Sequence, residues 1–156
     1  MPGQRVLAIT LMVLGWSTAA VSKDVALVSN KTNTVAVVSL AELVKICKGQ
    51  TNRWPDGKPV TFVTRDPASP DMRLVLEKVY GMSKSEVTAL ITAANHGRVN
   101  HPAIVIANSD EDLVRKVETT PGAVGLVDVY SITGGVTVLR VGGKLPLEPG
   151  YTLHGN

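Results

Sequence analysis

The chain has 156 residues, a length that suits one domain of common size, and 44% of them are hydrophobic while only 4% are aromatic. Such a chain can build a core, mainly from Val, Leu, Ile and Ala. Sixteen Lys and Arg residues against thirteen Asp and Glu residues leave a net charge of +3 that is scattered evenly, which argues against a nucleic-acid-binding protein.

The N-terminus has the pattern of a secretory signal peptide. Arg5 precedes an apolar run from Val6 to Trp16, and small residues follow it. A membrane anchor is the alternative, but the apolar run is shorter than the roughly 20 residues that a spanning helix needs. We therefore expect residues 1–22 to be a leader that is cleaved after Ala20 or Ser22. A periplasmic or secreted protein without membrane attachment would result.

Beyond the leader, short apolar strands alternate with capped helices. Ser39 with Glu42 and Ser83 with Glu86 form capping boxes at two helix starts. The apolar run 103–107 is typical of a strand covered on both faces. Strands alternating with helices of about ten residues predict an α/β fold, a three-layer sandwich with a mostly parallel sheet. Strands are predicted at 24–29, 60–64, 103–107, 123–127 and 136–141, and helices at 39–48, 69–80, 83–94 and 109–118.

These elements predict one domain over residues 23–142. The remaining residues, 143–156, are rich in Pro and Gly, and we expect them to form a loose C-terminal tail.

The stretch 60–73 contains the candidate site. Its strand is followed by a loop, and Ser69 then stands at the N-cap of a helix with Pro70 and Asp71 in the first turn. The unpaired N–H groups of this helix would face a loop that carries Arg65. Unpaired N–H groups, the positive end of a helix dipole and a guanidinium group together favour an oxyanion.

Ordinary α/β architecture explains the same residues without a ligand. Arg65 can pair with Asp66, Asp71 or a neighbouring carboxylate and bind nothing else. Both interpretations stay open at this point.

Other residues of chemical interest give weak signals. His96, His101 and His154 lack the paired spacing of a metal site, and we expect them to be solvated loop residues. Cys47 is the only cysteine, which excludes an intramolecular disulfide, and its helical position predicts burial. Trp54 is expected to pack rather than to bind a ligand.

The patterns of common enzymes are missing. Ser, His and Asp residues occur, but the Gly-x-Ser-x-Gly elbow of a hydrolase does not. The glycines at 122 and 125 lack the full nucleotide-binding fingerprint and lead into a strand. We therefore expect no enzymatic activity, no cofactor and no metal.

Several phrases together resemble the phosphate-binding-protein branch of the type II periplasmic binding proteins, the substrate-binding proteins of phosphate ABC transporters. The likeness extends from about residue 24 to residue 141. The phrases are SLAEL at 39–43 with CKG at 47–49, WPDGKP at 54–59, VTR at 63–65, Ser69 with Arg73 at a helix start, and VETTPGAVGL at 117–126.

The resemblance implies a single lobe of a fold in which two lobes close on the anion like a hinge. This chain matches the second lobe only. In the family an Arg at the strand end is followed four residues later by Ser-Gly-Thr, and these residues hold phosphate oxygens. Arg65 and Ser69 match that pattern, whereas Pro70 and Asp71 replace the Gly and the Thr. Pro70 has no N–H to offer, and Asp71 places a negative charge where phosphate would lie.

Two hypotheses follow for the function. In the first, the chain is a solute-binding-like module that keeps a weak site for phosphate or another oxyanion, formed by Arg65, Ser69, Asp71 and Arg73. In the second, the lobe has no small-molecule ligand, and its exposed cleft face binds a protein partner or a second copy of the chain. The replacement of Gly and Thr by Pro70 and Asp71 favours the second hypothesis.

Overall fold

The computed structural model of the chain describes residues 23–155. The predicted signal peptide, residues 1–22, lies outside this part, so its cleavage stays a prediction. Among the residues described, no helix combines the length and apolar character that crossing a membrane requires.

The order of strands and helices along the chain follows the predicted alternation. The strands of the described part are β1 (Val25–Asn30), β2 (Val37–Val38), β3 (Thr61–Arg65), β4 (Ile104–Ala107), β5 (Ala123–Asp128), β6 (Val136–Val138) and β7 (Arg140–Val141). The helices are α1 (Leu40–Cys47), α2 (Arg73–Val75), α3 (Lys84–Asn95) and α4 (Asp110–Thr119), with 3-10 turns at Pro70–Met72 and Val129–Ser131 and a π-helical turn at Leu76–Tyr80.

The central sheet is mixed but mostly parallel, as predicted. Its five strands lie in the order β4-β3-β5-β1-β6. Strand β3 pairs in parallel with both β4 and β5, while β1 runs antiparallel to β5 and to β6. All strands of this sheet except β1 therefore point the same way. Strands β2 and β7 form a separate parallel pair.

Helices cover both faces of the sheet, which confirms the three-layer sandwich. Phe62 belongs to the core on the side of α1 and α3, whereas its neighbour Val63 packs with Leu113 of α4. This alternation is the period of two that a strand imposes. Helix α4 approaches the sheet closely at Gly125, where an added Cβ would lie 2.8 Å from Leu113 Cδ2. The glycine therefore sets the spacing between these two layers.

The predicted caps form. Ser39 Oγ accepts a hydrogen bond from Glu42 N at 3.1 Å, and the Glu42 carboxylate accepts one from Ser39 N, which completes the capping box. Ser83 Oγ accepts from Glu86 N at 3.3 Å and donates to the Glu86 carboxylate. Ser109 caps α4 in the same manner. These local hydrogen bonds explain why the helix starts were predictable.

The helix predicted at 69–80 is divided into three conformations. Met72 N donates to Ser69 O, so the segment opens with a 3-10 turn. It ends with a π-helical turn in which Gly81 N reaches back to Leu76 O at 2.8 Å. We call residues 70–80 the helical segment because only three of them, α2, form regular α-helix.

Two predictions about strands were wrong. The last strand, predicted at 136–141, is divided into β6 and β7 at the buried Leu139, and β7 leaves the central sheet to pair with the unpredicted β2. Strand β4 is not covered on both faces along its whole length, because Ile106 is exposed, and it lies at an edge of the sheet. A continuous apolar run indicates a buried strand. It does not show whether that strand lies at the centre or at the edge of the sheet.

The segment 143–155, predicted to be a loose tail, is mostly exposed and without helix or strand, but it is anchored at two positions. Leu153 is fully buried, and its carbonyl accepts a hydrogen bond from Val25 N at 3.0 Å. Tyr151 is buried as well and donates its hydroxyl to Val25 O at 2.7 Å. Two apolar side chains thus dock a segment whose composition, rich in Pro and Gly, is typical of a coil.

Cys47 and Trp54 take the packing roles that were predicted. Cys47 is completely buried, and burial raises the pKa of its thiol far above the usual range. Trp54 is buried too, and its Nε1 donates to Gly122 O at 2.8 Å. Neither side chain is available to a ligand.

Candidate functional site

A cavity of about 560 Å³ lies where the parallel strands end. Arg65 at the end of β3 and Asp128 at the end of β5 line it, together with Asp110 at the start of α4. The 3-10 turn that opens the helical segment forms another wall. This is the edge at which open α/β sheets usually bind ligands.

Arg65 is held by two carboxylates. Its Nη1 donates to Asp110 Oδ1 at 2.7 Å and to Asp71 Oδ2 at 3.1 Å. The side chain of Arg65 is only 17% exposed, that of Asp110 is 21% exposed, and that of Asp71 is 60% exposed. One positive charge therefore faces two negative charges before any ligand arrives.

The same arginine keeps part of its hydrogen-bonding capacity. A guanidinium group has five N–H donors, and both carboxylates bind to Nη1. Within residues 23–155, Arg65 Nε and Nη2 have no hydrogen-bond partner, and no buried side-chain nitrogen lacks one. Among the described residues, these two nitrogens are therefore unpaired but not completely buried.

The start of the helical segment offers no unpaired backbone donor, contrary to the expectation from the sequence. Asp71 N donates to Ser69 Oγ at 3.4 Å, Met72 N donates to Ser69 O, and Arg73 N donates to Pro70 O. Pro70 has no N–H. The 3-10 geometry therefore uses the donors that an α-helical N-terminus would have presented to an anion.

The four predicted site residues are brought near one another but not around one point. Arg65, Asp71 and Arg73 line the cavity described above. Ser69 instead lines a neighbouring open groove of about 950 Å³, which Arg73 also borders. Ser69 acts as a cap, because its oxygen accepts the Asp71 N–H.

The charges around the cavity nearly cancel. Four cationic side chains face five carboxylates, so the lining carries about one negative charge when its histidine is neutral. The cations are Lys23, Arg65, Arg73 and Lys78, and the carboxylates are Asp24, Asp71, Glu77, Asp110 and Asp128. Such a lining does not attract an anion over long distances.

Sequence reasoning missed a second polar contact in this cavity. The carboxylate of Asp24, which is 1% exposed, lies 2.6 Å from His154 Nδ1 and also accepts a hydrogen bond from Leu147 N. His154 is exposed and outside the helices and strands, as expected of a solvated loop residue, but its ring also contacts Asp24. The two residues are 130 positions apart, so no local pattern connects them. His96 and His101 are exposed, as predicted.

Among the described residues, no group of three or more His, Cys, Asp or Glu side chains is placed to hold a metal ion.

Solved structures of phosphate-binding proteins share this fold. The chain is similar to an ABC-type phosphate transport receptor from Vibrio cholerae, with 19% identity and a TM-score of 0.69 over 86% of this chain and 54% of that chain. It is similar to a putative phosphate ABC transporter substrate-binding protein with bound phosphate from Clostridium perfringens, with 21% identity and a TM-score of 0.67 over 86% and 53% of the two chains. PstS from Borrelia burgdorferi shows 16% identity and a TM-score of 0.66 over 86% and 55%.

The chain thus spans about half the length of the solved structures that it matches, which corresponds to a single lobe. A comparison with curated proteins found no match. The sequence profile of the PBP superfamily domain matches residues 15–149. Because this profile and the fold agree, the chain belongs to the PBP superfamily domain family.

Proposed function

We propose that the chain is a single solute-binding-like lobe that does not hold phosphate tightly and that acts instead as a protein-interaction module through its cavity face. The observation that carries the proposal is the position of Arg65 Nη1 between Asp71 and Asp110. The residue that would bind an anion already has two anionic partners.

Electrostatic magnitudes support this choice. A charge-assisted hydrogen bond from an arginine contributes about 1.5–3 kcal/mol. A singly charged anion about 4 Å from a carboxylate is repelled by about 4 kcal/mol at an effective dielectric constant of 20. Asp71 and Asp110 both touch Arg65, so an anion on its guanidinium would approach two such carboxylates. On the same Coulomb scale the guanidinium attracts the anion by about 4 kcal/mol, so two carboxylates at a similar distance offset that attraction.

A cavity face with both signs of charge suits a protein partner. Interfaces commonly use complementary charges to fix orientation, and their binding weakens as salt rises. Lys23, Arg73 and Lys78 can meet carboxylates of a partner, while Asp71 and Glu77 can meet its cations. A second copy of the chain meets the same conditions, because its face carries the same balanced set.

A weak oxyanion site is the second candidate. The observation that favours it is that, among the described residues, Arg65 Nε and Nη2 are unpaired but not completely buried and that Arg73 and Lys78 line the same cavity. In this alternative Arg65 and Arg73 contact the anion, Ser69 orders the adjoining turn, and Asp71 opposes binding. Phosphate is the natural ligand to try, since the Clostridium perfringens relative is described with bound phosphate.

Calorimetric titration separates the two candidates. The chain without residues 1–22 is titrated with phosphate, sulfate and small carboxylates, and Arg65→Ala serves as the control for the site. We expect no saturable binding at millimolar concentrations. Phosphate binding that Arg65→Ala weakens by about tenfold or more would contradict the proposal and establish the second candidate.

Export to the periplasm or secretion completes the proposal. It is supported by the charged start, the short apolar run and the small residues of the predicted leader. Intact-mass measurement of the protein from a periplasmic fraction should give an N-terminus near Val21 or Lys23. Retention of residues 1–20 would indicate a membrane anchor instead.

A further inference from the structure

The edge strand β4 presents backbone groups away from the sheet. Ala103 O accepts a hydrogen bond from Phe62 N at 2.9 Å, so the peptide groups of residue 103 face β3. Because these groups alternate along a strand, those of Ile104 and Ile106 face outward. Outward N–H and C=O groups on an edge strand are a template for pairing with another strand.

The side chain of Asn95 occupies that template at Ile104. Asn95 is the last residue of α3, and its Nδ2 donates to Ile104 O at 2.8 Å while its Oδ1 accepts from Ile104 N at 3.0 Å. A carboxamide has one carbonyl and one amino group in the geometry of a peptide bond. Asn95 therefore makes the two hydrogen bonds that a neighbouring strand would make at this position.

The rest of β4 has little protection of its own. Its residues Ile104, Val105, Ile106 and Ala107 include no charged side chain and no proline, the usual devices that discourage edge pairing. Ile106 is exposed, and within the described residues its outward peptide groups have no partner. This edge is thus apolar. Of its two outward-facing residues, Ile104 is blocked by the Asn95 side chain and Ile106 is open.

We propose that Asn95 is a built-in stop that prevents β4 from pairing with the β4 strand of a second copy of this chain. Two such edges are complementary in an antiparallel pair related by a two-fold axis, because the outward groups of Ile104 and Ile106 in each copy would bind those of the other. Asn95 occupies the Ile104 position in both copies. Only Ile106 then remains, which is too short a run to form a ladder.

This stop is independent of the proposed function. Neither Asn95 nor any residue of β4 lines the cavity that contains Arg65. A partner that binds the cavity face would leave the β4 edge unused, and the stop would keep copies of the chain from associating in the wrong way.

The test replaces Asn95 by Ala in the chain without residues 1–22. Ala favours helix more than Asn does, so the change does not weaken α3. The matched control is Asn100→Ala, since Asn100 is exposed and its side chain makes no hydrogen bond within residues 23–155. Light scattering follows the mass as concentration rises, and hydrogen exchange follows the amides of Ile104 and Ile106.

In dilute Asn95→Ala we expect the Ile104 amide to exchange about fivefold faster than in the wild type, the factor expected for one lost hydrogen bond. At higher concentration the variant should associate more than the wild type and the control, and the Ile106 amide should become protected in the associated form. Association without protection of Ile106 would overturn the proposal. So would an Ile104 amide that exchanges as in the wild type, or a variant that associates no more than the control.

The phosphate titration tests the proposed function, whereas the Asn95→Ala experiment tests the stop at the β4 edge, so one proposal can be contradicted without the other. Binding of phosphate at Arg65 would contradict the proposed function and leave the behaviour of Asn95→Ala unchanged.

Discussion

The two ends of the central sheet are held together by different chemistry. At one end, where β3 and β5 finish, charged side chains surround a cavity and Arg65 pairs with Asp71 and Asp110. At the other end, where β1 finishes and β5 begins, neutral amides bind backbone groups. We infer that the end with neutral amides maintains the fold, whereas substitutions at the charged end affect stability less.

The neutral end is a partly buried hydrogen-bond network. Asn30 Nδ2 donates to the carbonyls of Val117 and Glu118, at 2.9 and 3.0 Å, and ties β1 to the end of α4. Asn33 binds Ala123 O through Nδ2 and accepts from Gly122 N at 2.8 Å. Each amide satisfies backbone groups that no helix or strand would otherwise pair, which is the condition for burying them.

At the charged end the ionic side chains pair with one another. Asp71 remains 60% exposed, and ion pairs at that exposure contribute little to stability. Substitutions at the neutral end should therefore reduce the free energy of unfolding strongly, whereas those at the charged end should change binding more than stability.

The largest effect is expected for Gly122→Ala at the neutral end. Gly122 has φ +84, and an added Cβ would lie 2.0 Å from Pro59 O. Strain and a clash with backbone together should cost about 3–5 kcal/mol of unfolding free energy, measured by denaturant titration. Gly57→Ala is the matched control, because Gly57 also has a positive φ, +89, but open space around its Cβ. The control should lose only about 1–2 kcal/mol, and equal losses would exclude the close approach to Pro59 as the cause.

The second largest loss of unfolding free energy is expected for Asn30→Ala. The change leaves the carbonyls of Val117 and Glu118 without their donor and removes the acceptor of Thr32 N. Unsatisfied buried groups of this kind should cost about 2–4 kcal/mol. Thermal and denaturant unfolding measure the loss, and the exposed Asn108→Ala is the control. A cost below that of the control would mean that the neutral end does not maintain the fold.

The sequence was most informative where structure depends on neighbouring residues. The caps at Ser39, Ser83 and Ser109 are local, so the helix starts were predicted to within a residue. The charged end depends on contacts between distant residues. Pairing of Arg65 with an acid was one of two open interpretations, with Asp71 among the candidates, but Asp110 lies 45 positions further along the chain.

Two other features that the sequence did not predict also depend on contacts between distant residues. The position of β4 at the sheet edge follows from strand order, which requires knowledge of all crossovers. The contact between Asp24 and His154 requires the tail to dock, and burial of Leu153 drives that docking. The family resemblance predicted the place of the cavity but not how its charges pair.

At the charged end, Arg65→Ala should change stability less than the substitutions at the neutral end. The pair with Asp71 is mostly exposed and contributes little, whereas the pair with Asp110 is largely shielded from solvent, so the total loss should be about 1–2 kcal/mol. The same denaturant titration gives the value. A loss as large as that of Asn30→Ala would remove the distinction between the two ends.

The smallest effect concerns pH. The hydrogen bond from Asn108 N to the Asp112 carboxylate, aided by Lys116, holds the pKa of Asp112 below its usual value. Its stabilising contribution is therefore complete above the pKa of an unfolded aspartate, about 3.9, and is lost as pH falls through the lowered pKa. Denaturant titration at several pH values should show that Asp112→Asn flattens the dependence of stability on pH below about pH 4.

The most direct measurement is a phosphate titration of the double variant Asp71→Asn, Asp110→Asn beside the wild type. Both replacements keep the size of the side chain and remove the negative charges that hold Arg65. We expect the wild type to show no saturable binding at millimolar phosphate and the double variant to bind, with affinity lost again when Arg65→Ala is added. Equal phosphate affinity in the wild type and the double variant, or no binding by either, would contradict the claim that these two carboxylates keep phosphate out.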